Sequence, residues 1–218
     1  MEAATAAATH SETAILATVH LWMSWLHIGI DQALKSQAER TKMEILRDAG
    51  ENYSTVLNAE FQASIVAIAA SAHALDALYG STGIPDDVRQ GWKNKGTKRH
   101  GKIREALKIV FDTGPVNSSW VADFSWLFEL RDFAAHAPEE AKPLAPHPIG
   151  ANTSSEYVSY STENARRAVQ FALSVFRWCV DHPRQNKPDA IAWANSVRPV
   201  IEELEGLWSG GTGNGSAS

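Results

Sequence analysis

Cysteine is almost absent from this sequence. Cys179 is the single cysteine in 218 residues, so an internal disulfide is excluded and a reducing compartment suits the chain. Cys179 lies between Trp178 and Val180 in an apolar stretch of helical periodicity. We therefore interpret Cys179 as a core thiol rather than a reactive one.

The motifs of common catalytic and cofactor sites are also missing. The chain has no GxxxxGK[ST] or GxGxxG loop, no HExxH, no cysteine pair and no GxSxG turn, so nothing predicts a zinc site, a phosphate loop or an α/β-hydrolase nucleophile. His20 and His27 share a helix face, but no third ligand stands one turn away. We expect no metal and no cofactor. A Ser/His/Asp triad that only folding brings together stays open.

An excess of positive charge is lacking as well. The formal net charge is −5, so nucleic acid would have to bind to a local basic patch. No Lys or Arg precedes the first apolar stretch, and the run Ile15–Ile30 is interrupted by His20, Ser24 and His27. A secretory leader needs basic residues before its apolar run, and a membrane span needs about 20 predominantly apolar residues. We expect a cytoplasmic protein with no membrane partner.

Helical periodicity dominates the chain, and it predicts an all-α fold. We expect a four-helix-bundle-like core with additional helices and a long Pro-rich loop, in a single helical domain over residues 11–207 with a flexible tail over 208–218. Apolar residues recur every three or four positions in the predicted helices. These helices run over 11–49, 54–79, a short stretch from Asp86, 116–137, 161–180 and a last segment from Pro188. Pro199 is predicted to kink or break the last one. Ser11 is a candidate cap for the first helix, Gly50 a stop, and Ser161 or Thr162 a later cap.

The predicted helix over residues 116–137 is apolar on almost every side, which is typical of a central, buried helix. Near its end stand Arg131, Asp132 and His136, and Pro138 follows. Asp132 and His136 are one turn apart, so the carboxylate can orient the imidazole. Arg131 is about 140° around the helix axis from His136. The two share no face unless the helix distorts or a second chain supplies the partner.

The segment Arg131-Asp132-Phe133-Ala134-Ala135-His136 resembles the R-x4–6-H motif of the HEPN superfamily of small helical-bundle proteins. Many of these are metal-independent endoribonucleases, often toxins or antiphage effectors, that act as dimers. The resemblance implies that Arg131 binds the scissile phosphate and stabilises its transition-state charge. It implies that His136 is the general base or acid for attack by the ribose 2′-hydroxyl, that Asp132 orients His136, and that the product is a 2′,3′-cyclic phosphate.

A second match to the motif is Arg177 with His182. We prefer the first match because a polar residue follows its arginine, because its helix is predicted to be the most buried, and because small residues adjoin its histidine. The sequence departs from the family at Pro138, where some members carry a tyrosine that an antitoxin modifies. That form of regulation is therefore not expected here.

A basic stretch precedes this helix, and its members Lys95, Lys98, Arg99 and Lys102 are the predicted nucleic-acid-binding residues. The plain interpretation is a solvated loop and outer helix face. The sharper one is an electrostatic track for phosphates with Trp92 available to stack on a base.

The resemblance implies RNA as substrate, a homodimer, and an antitoxin or other regulatory protein as a further partner. Two alternatives stay open. One is a catalytically inactive HEPN-like dimerisation or nucleotide-binding module in which Arg131 and Asp132 pair structurally. The other is an unrelated helical interaction protein that carries the motif by accident.

Overall fold

The computed structural model describes residues 20–112, 114, 116–136 and 143–213. Its helices are α1 (Leu21–Asp48), α2 (Ser54–Gly80), α3 (Asp86–Asn94), α4 (Arg99–Val110), α5 (Val116–His136), α6 (Ser155–Ser159), α7 (Thr162–Asp181) and α8 (Pro188–Gly213). Two short strands, β1 (Leu144–Pro146) and β2 (Asn152–Ser154), form an antiparallel pair. The prediction of an all-α, bundle-like fold is confirmed.

The centre of the bundle is the pair α1–α2, with α7 packed against both helices. Small side chains let α1 and α2 approach closely: a Cβ added at Gly29 would stand 3.3 Å from Ser71 Oγ and 3.6 Å from the Ala67 carbonyl oxygen. The helices α8 and α5 flank this core, on α7 and α2 respectively, and α4 packs on α5. The apolar stripes seen in the sequence thus meet along one continuous core.

Among the described residues, the helices α2 and α7 contribute the most buried side chains. Cys179 on α7 is fully buried, and burial raises the pKa of its thiol, so its interpretation as a core residue is confirmed. Among the described helices, α2 alone is long and apolar enough to cross a membrane, and 56% of its most apolar window is buried inside the bundle. A helix that is mostly buried in a bundle passes the same test of length and composition as a membrane span.

The prediction that α5 is the central, buried helix is wrong. Trp120, Phe124, Leu127 and Phe128 face the core, but Val121 on another side is 43% exposed. An apolar residue on a helix surface is common, because polar residues are too few to cover a whole protein. The helix α5 therefore buries one apolar face against the core and leaves other apolar residues exposed. Burial of the helix is no longer a reason to prefer the motif match at Arg131 to that at Arg177.

The predicted helix ends are largely confirmed. Gly50, with φ of +72°, follows the end of α1, and Ser161 stands at the start of α7; Ser11 lies outside the described residues. Pro199 stands inside α8 without ending it. The helix continues past residue 207, where the sequence predicts a tail, because Trp208 is buried and donates a hydrogen bond to Gln170 Oε1 at 2.9 Å.

The described part of the Pro-rich loop has structure of its own. Leu144 pairs with Ser154, and Pro146 with Asn152. At the tip of this hairpin His147 and Ile149 are buried, and Arg47 Nη1 donates to the Ile149 carbonyl oxygen at 3.1 Å. The hairpin therefore inserts into the bundle.

Candidate functional site

Arg131 lies on the side of α5 that faces the bundle. Its side chain is 18% exposed, and its Cζ stands 4.5 Å from the ring centroid of the buried Phe128. The guanidinium packs on this ring. It donates two hydrogen bonds to Asp132 Oδ1, from Nη2 at 2.6 Å and from Nε at 3.0 Å. Its planar, charged end thus lies at the protein surface, paired with the residue that follows it.

Asp132 and His136 occupy the outer face of α5. The Asp132 side chain is 63% exposed, and His136, at the last position of the helix, is exposed too. Within the described part of the chain, Asp132 pairs with Arg131 and not with His136. A single chain therefore brings Arg131 and Asp132 together and leaves the His136 imidazole on another side of the helix.

Two other histidines belong to the neighbourhood of Arg131. The sequence predicts only a core or interface role for His73 and no separate role for His100. His73 on α2 has a lowered pKa, because burial disfavours its charged form and the positive charge of Arg131 adds to this. His100 on α4 also has a lowered pKa, through burial and then through Lys98, while Glu129 and Asp132 act in the opposite direction. Imidazoles with lowered pKa values are neutral near pH 7 and able to accept a proton.

His100 also connects Arg131 to the predicted nucleic-acid-binding residues. Its ring centroid lies 6.4 Å from that of Phe128, the ring that Arg131 covers. Lys95, Lys98 and Arg99 are exposed and Lys102 is partly exposed on α4 and the turn before it. The predicted phosphate-binding arginine and the predicted basic track thus belong to one surface, which α2, α4 and α5 form together.

Parts of this basic surface are already neutralised. Arg99 Nε donates to Asp76 Oδ1 on α2, and the Arg99 Cζ stands 4.4 Å from the ring centroid of Tyr79. Trp92, predicted as a stacking residue, is partly buried and packs against the core. Arg99 is therefore exposed but already paired with Asp76, and Trp92 is less open to a ligand than the sequence predicts.

A second polar cluster lies inside the bundle, and the sequence analysis missed it. Arg40 on α1 donates to Glu60 Oε1 at 2.6 Å and to Glu163 Oε1 at 2.7 Å. Glu60 Oε1 also accepts from the Thr162 backbone N–H at 2.9 Å, which is the first one of α7. His147 at the hairpin tip places Nε2 3.8 Å from Glu60 Oε2. We call these five residues the Arg40 network.

One signal in the sequence could have found the Arg40 network. Arg40 falls on the apolar stripe of α1, between the buried residues Ala33 and Met43, and Glu60 precedes the buried Ala63 on α2. A charged residue on an apolar stripe needs a buried partner, because an unpaired charge in the core is very costly. The partner itself could not be read from the sequence, since Arg40 and Glu163 are 123 positions apart.

In residues 20–112, 114, 116–136 and 143–213, no group of three His, Cys, Asp or Glu side chains is arranged so that it could hold a metal ion. Comparison with protein-family models, with curated proteins and with solved structures finds no match for the chain. The fold and the site together define a helical-bundle protein with one mixed arginine–histidine surface beside a lysine track.

Proposed function

We propose that this chain is an HEPN-like, metal-independent endoribonuclease of the toxin or defence type, which acts in the cytoplasm as a homodimer. The observation that supports this most is the convergence of Arg131 and the lysine track at His100, on one surface of three helices. Single-stranded RNA needs such a combination, since cations along the track bind its phosphates. An arginine at the end of the track can bind one of them bidentately.

The reaction needs a base and an acid around one phosphate. The ribose 2′-oxygen attacks the phosphorus while a base takes its proton, the bond to the 5′-oxygen breaks, and an acid protonates the leaving oxygen. Arg131 stabilises the charge that builds up on the phosphate oxygens. The products are a 2′,3′-cyclic phosphate and a free 5′-hydroxyl.

His136 contributes to this reaction across the dimer. In one chain it lies on a different side of α5 from Arg131, five positions along the helix and about 140° around its axis. In a symmetric dimer the same patch of both chains meets, so His136 of one copy can approach Arg131 of the other. Asp132 would then exchange its partner, from Arg131 to the imidazole.

The second candidate function is a catalytically inactive HEPN-like module for dimerisation or nucleotide binding. The Arg131–Asp132 pair favours this alternative. Asp132 Oδ1 lies 2.6 Å from Arg131 Nη2, so the carboxylate takes the position that a phosphate would need. A regulatory protein or antitoxin would then act on the module rather than on an active enzyme.

Incubation with total RNA in EDTA separates the two candidates. The enzyme proposal expects wild type to degrade RNA, and Arg131→Ala and His136→Ala each to lose at least about a hundredfold in rate. His182→Ala is the matched control, because His182 belongs to the second motif match and stacks on Trp178 at 3.8 Å. Equal rates in all variants would disprove the assigned site, and nucleotide binding without cleavage would leave the inactive module.

A further inference from the structure

Trp25 on α1 is a large aromatic side chain left partly open to solvent. It is 36% exposed, while its indole packs on the His73 ring with centroids 4.9 Å apart and planes inclined by 33°. A flat ring supported by a second ring on one side offers its other side to a flat ligand.

The position of this pair links it to Arg131. His73 lies on α2, which packs against α1 on one side and α5 on the other. Burial is the main cause of the lowered pKa of His73; the charge of Arg131 adds to it and Asp76 opposes it. Trp25, His73 and Arg131 therefore follow one another across three neighbouring helices, from an aromatic surface to a phosphate-binding group.

We propose that Trp25, supported by His73, is the stacking platform for an unpaired base of single-stranded RNA whose phosphate binds at Arg131. The inference rests on the proposed function and adds the residue that receives a base. Bases stack on aromatic side chains regardless of sequence, and stacking is a main source of affinity for single strands. The platform takes the role that the partly buried Trp92 cannot fill.

A second copy of this chain is the other candidate for this surface, because Ile28 and Val66 nearby are 38% and 42% exposed. The charges favour the nucleic acid. The aromatic pair lies on α1 and α2, and α2 contacts both α5, which carries Arg131, and α4, which Lys98 directly precedes. Cations beside an exposed ring are the combination that binds a phosphate and its base at the same time.

The experiment compares two single strands of the same length. One carries 2′-deoxyuridine throughout and the other is abasic throughout, so neither has the hydroxyl that cleavage requires. Affinities are measured at one salt concentration for wild type, Trp25→Ala, Trp25→Phe and the control Ile28→Ala, which removes a similarly exposed apolar side chain from the same helix.

We expect Trp25→Ala to weaken binding of the base-bearing strand by roughly tenfold or more. Trp25→Phe should keep most of the affinity, which also controls for folding, and Ile28→Ala should change little. The abasic strand should bind wild type and Trp25→Ala equally, since it has nothing to stack.

The inference is overturned if Trp25→Ala leaves the base-bearing strand unaffected, or weakens both strands equally. It is also overturned if this substitution converts a dimer to a monomer in sedimentation. RNA cleavage that needs Arg131 but not Trp25 would leave the proposed function standing alone. Trp25-dependent binding by a protein that never cleaves RNA would support the inference and reject the nuclease, and no binding of either strand would reject both.

Discussion

Arg40 and Arg131 are both helix residues paired with a carboxylate at about the same distance, 2.6 Å, yet their surroundings differ. Arg40 is buried and its partners come from two other helices. Arg131 has its neighbour Asp132 as its ion-pair partner, and that partner is largely exposed.

The difference separates a structural site from a binding site. Removing Glu60 takes a fully buried carboxylate from Arg40 and leaves it Glu163, whose side chain is 54% exposed. Loss of the buried partner of a buried charge is costly. Opening the Arg131–Asp132 pair exposes both groups to water at little cost. Arg131 is therefore available to a ligand, whereas Arg40 is committed to holding α1, α2 and α7 together.

The largest expected effect is that of Glu60→Ala on stability. The substitution removes the acceptor of Arg40 and of the first N–H of α7, and should lower the free energy of unfolding by about 3 kcal/mol or more. Asp132→Ala breaks the other pair at its exposed member and should cost less than about 1 kcal/mol. Urea denaturation measures both, and similar losses would abolish the distinction between the two clusters.

The next effect is that of the lysine track on RNA binding. Replacing Lys95, Lys98 and Lys102 together with alanine should weaken the binding of single-stranded RNA. The slope of log affinity against log salt concentration should become shallower by about 0.7 for each phosphate that the variant no longer neutralises. The control replaces three exposed lysines elsewhere, namely Lys35, Lys42 and Lys187. Equal slopes for the two triple variants would show that the track is only a solvated surface.

A smaller change is expected for Asp132→Asn, which keeps the shape of the side chain but releases the Arg131 guanidinium. Binding of a non-cleavable strand should tighten by a few-fold, in line with the energy of an exposed ion pair, while cleavage should fall. Asp123→Asn is the matched control, because Asp123 pairs with Arg167 at 2.6 Å on another side of α5. Weaker binding with Asp132→Asn would mean that the carboxylate itself takes part in binding.

The smallest effect concerns the pH dependence of stability through His147. Burial lowers its pKa from 6.5, and Arg40 adds to this although Glu60 opposes it. As pH falls through 6.5 the unfolded chain therefore takes up a proton that the folded chain does not, and stability declines. Thermal melts between pH 7.5 and 5.5 should show a shallower decline for His147→Gln than for wild type; parallel declines would contradict this.

Local rules predicted the helices well, because each depends on residues close in sequence. The end of α1 just before Gly50 follows from the backbone freedom of glycine. Ser161 occupies the N-cap position of α7, although its side chain makes no capping hydrogen bond there. The hairpin over the Pro-rich loop was missed, because its strands are only three residues each and its burial depends on Arg47 from a distant helix.

The candidate site was only partly predictable for the same reason. The spacing of Arg131, Asp132 and His136 could be read directly, but which neighbour Asp132 prefers depends on side-chain geometry that spacing leaves open. His73 and Trp25 are far from Arg131 in sequence. They come to the same side of the molecule as Arg131 only because α2 packs against both α1 and α5.

The sequence by itself determined that this chain is helical, where most of its helices end, and that basic residues cluster before α5. Those properties come from periodicity, turn chemistry and composition, which act over a few residues. Only the tertiary structure decided that α1, α2 and α7 form the core, that Arg40 is buried against Glu60, and that Arg131 shares a surface with two histidines. These depend on which helix faces meet, and that choice minimises the exposed apolar surface of the whole chain rather than of any one segment.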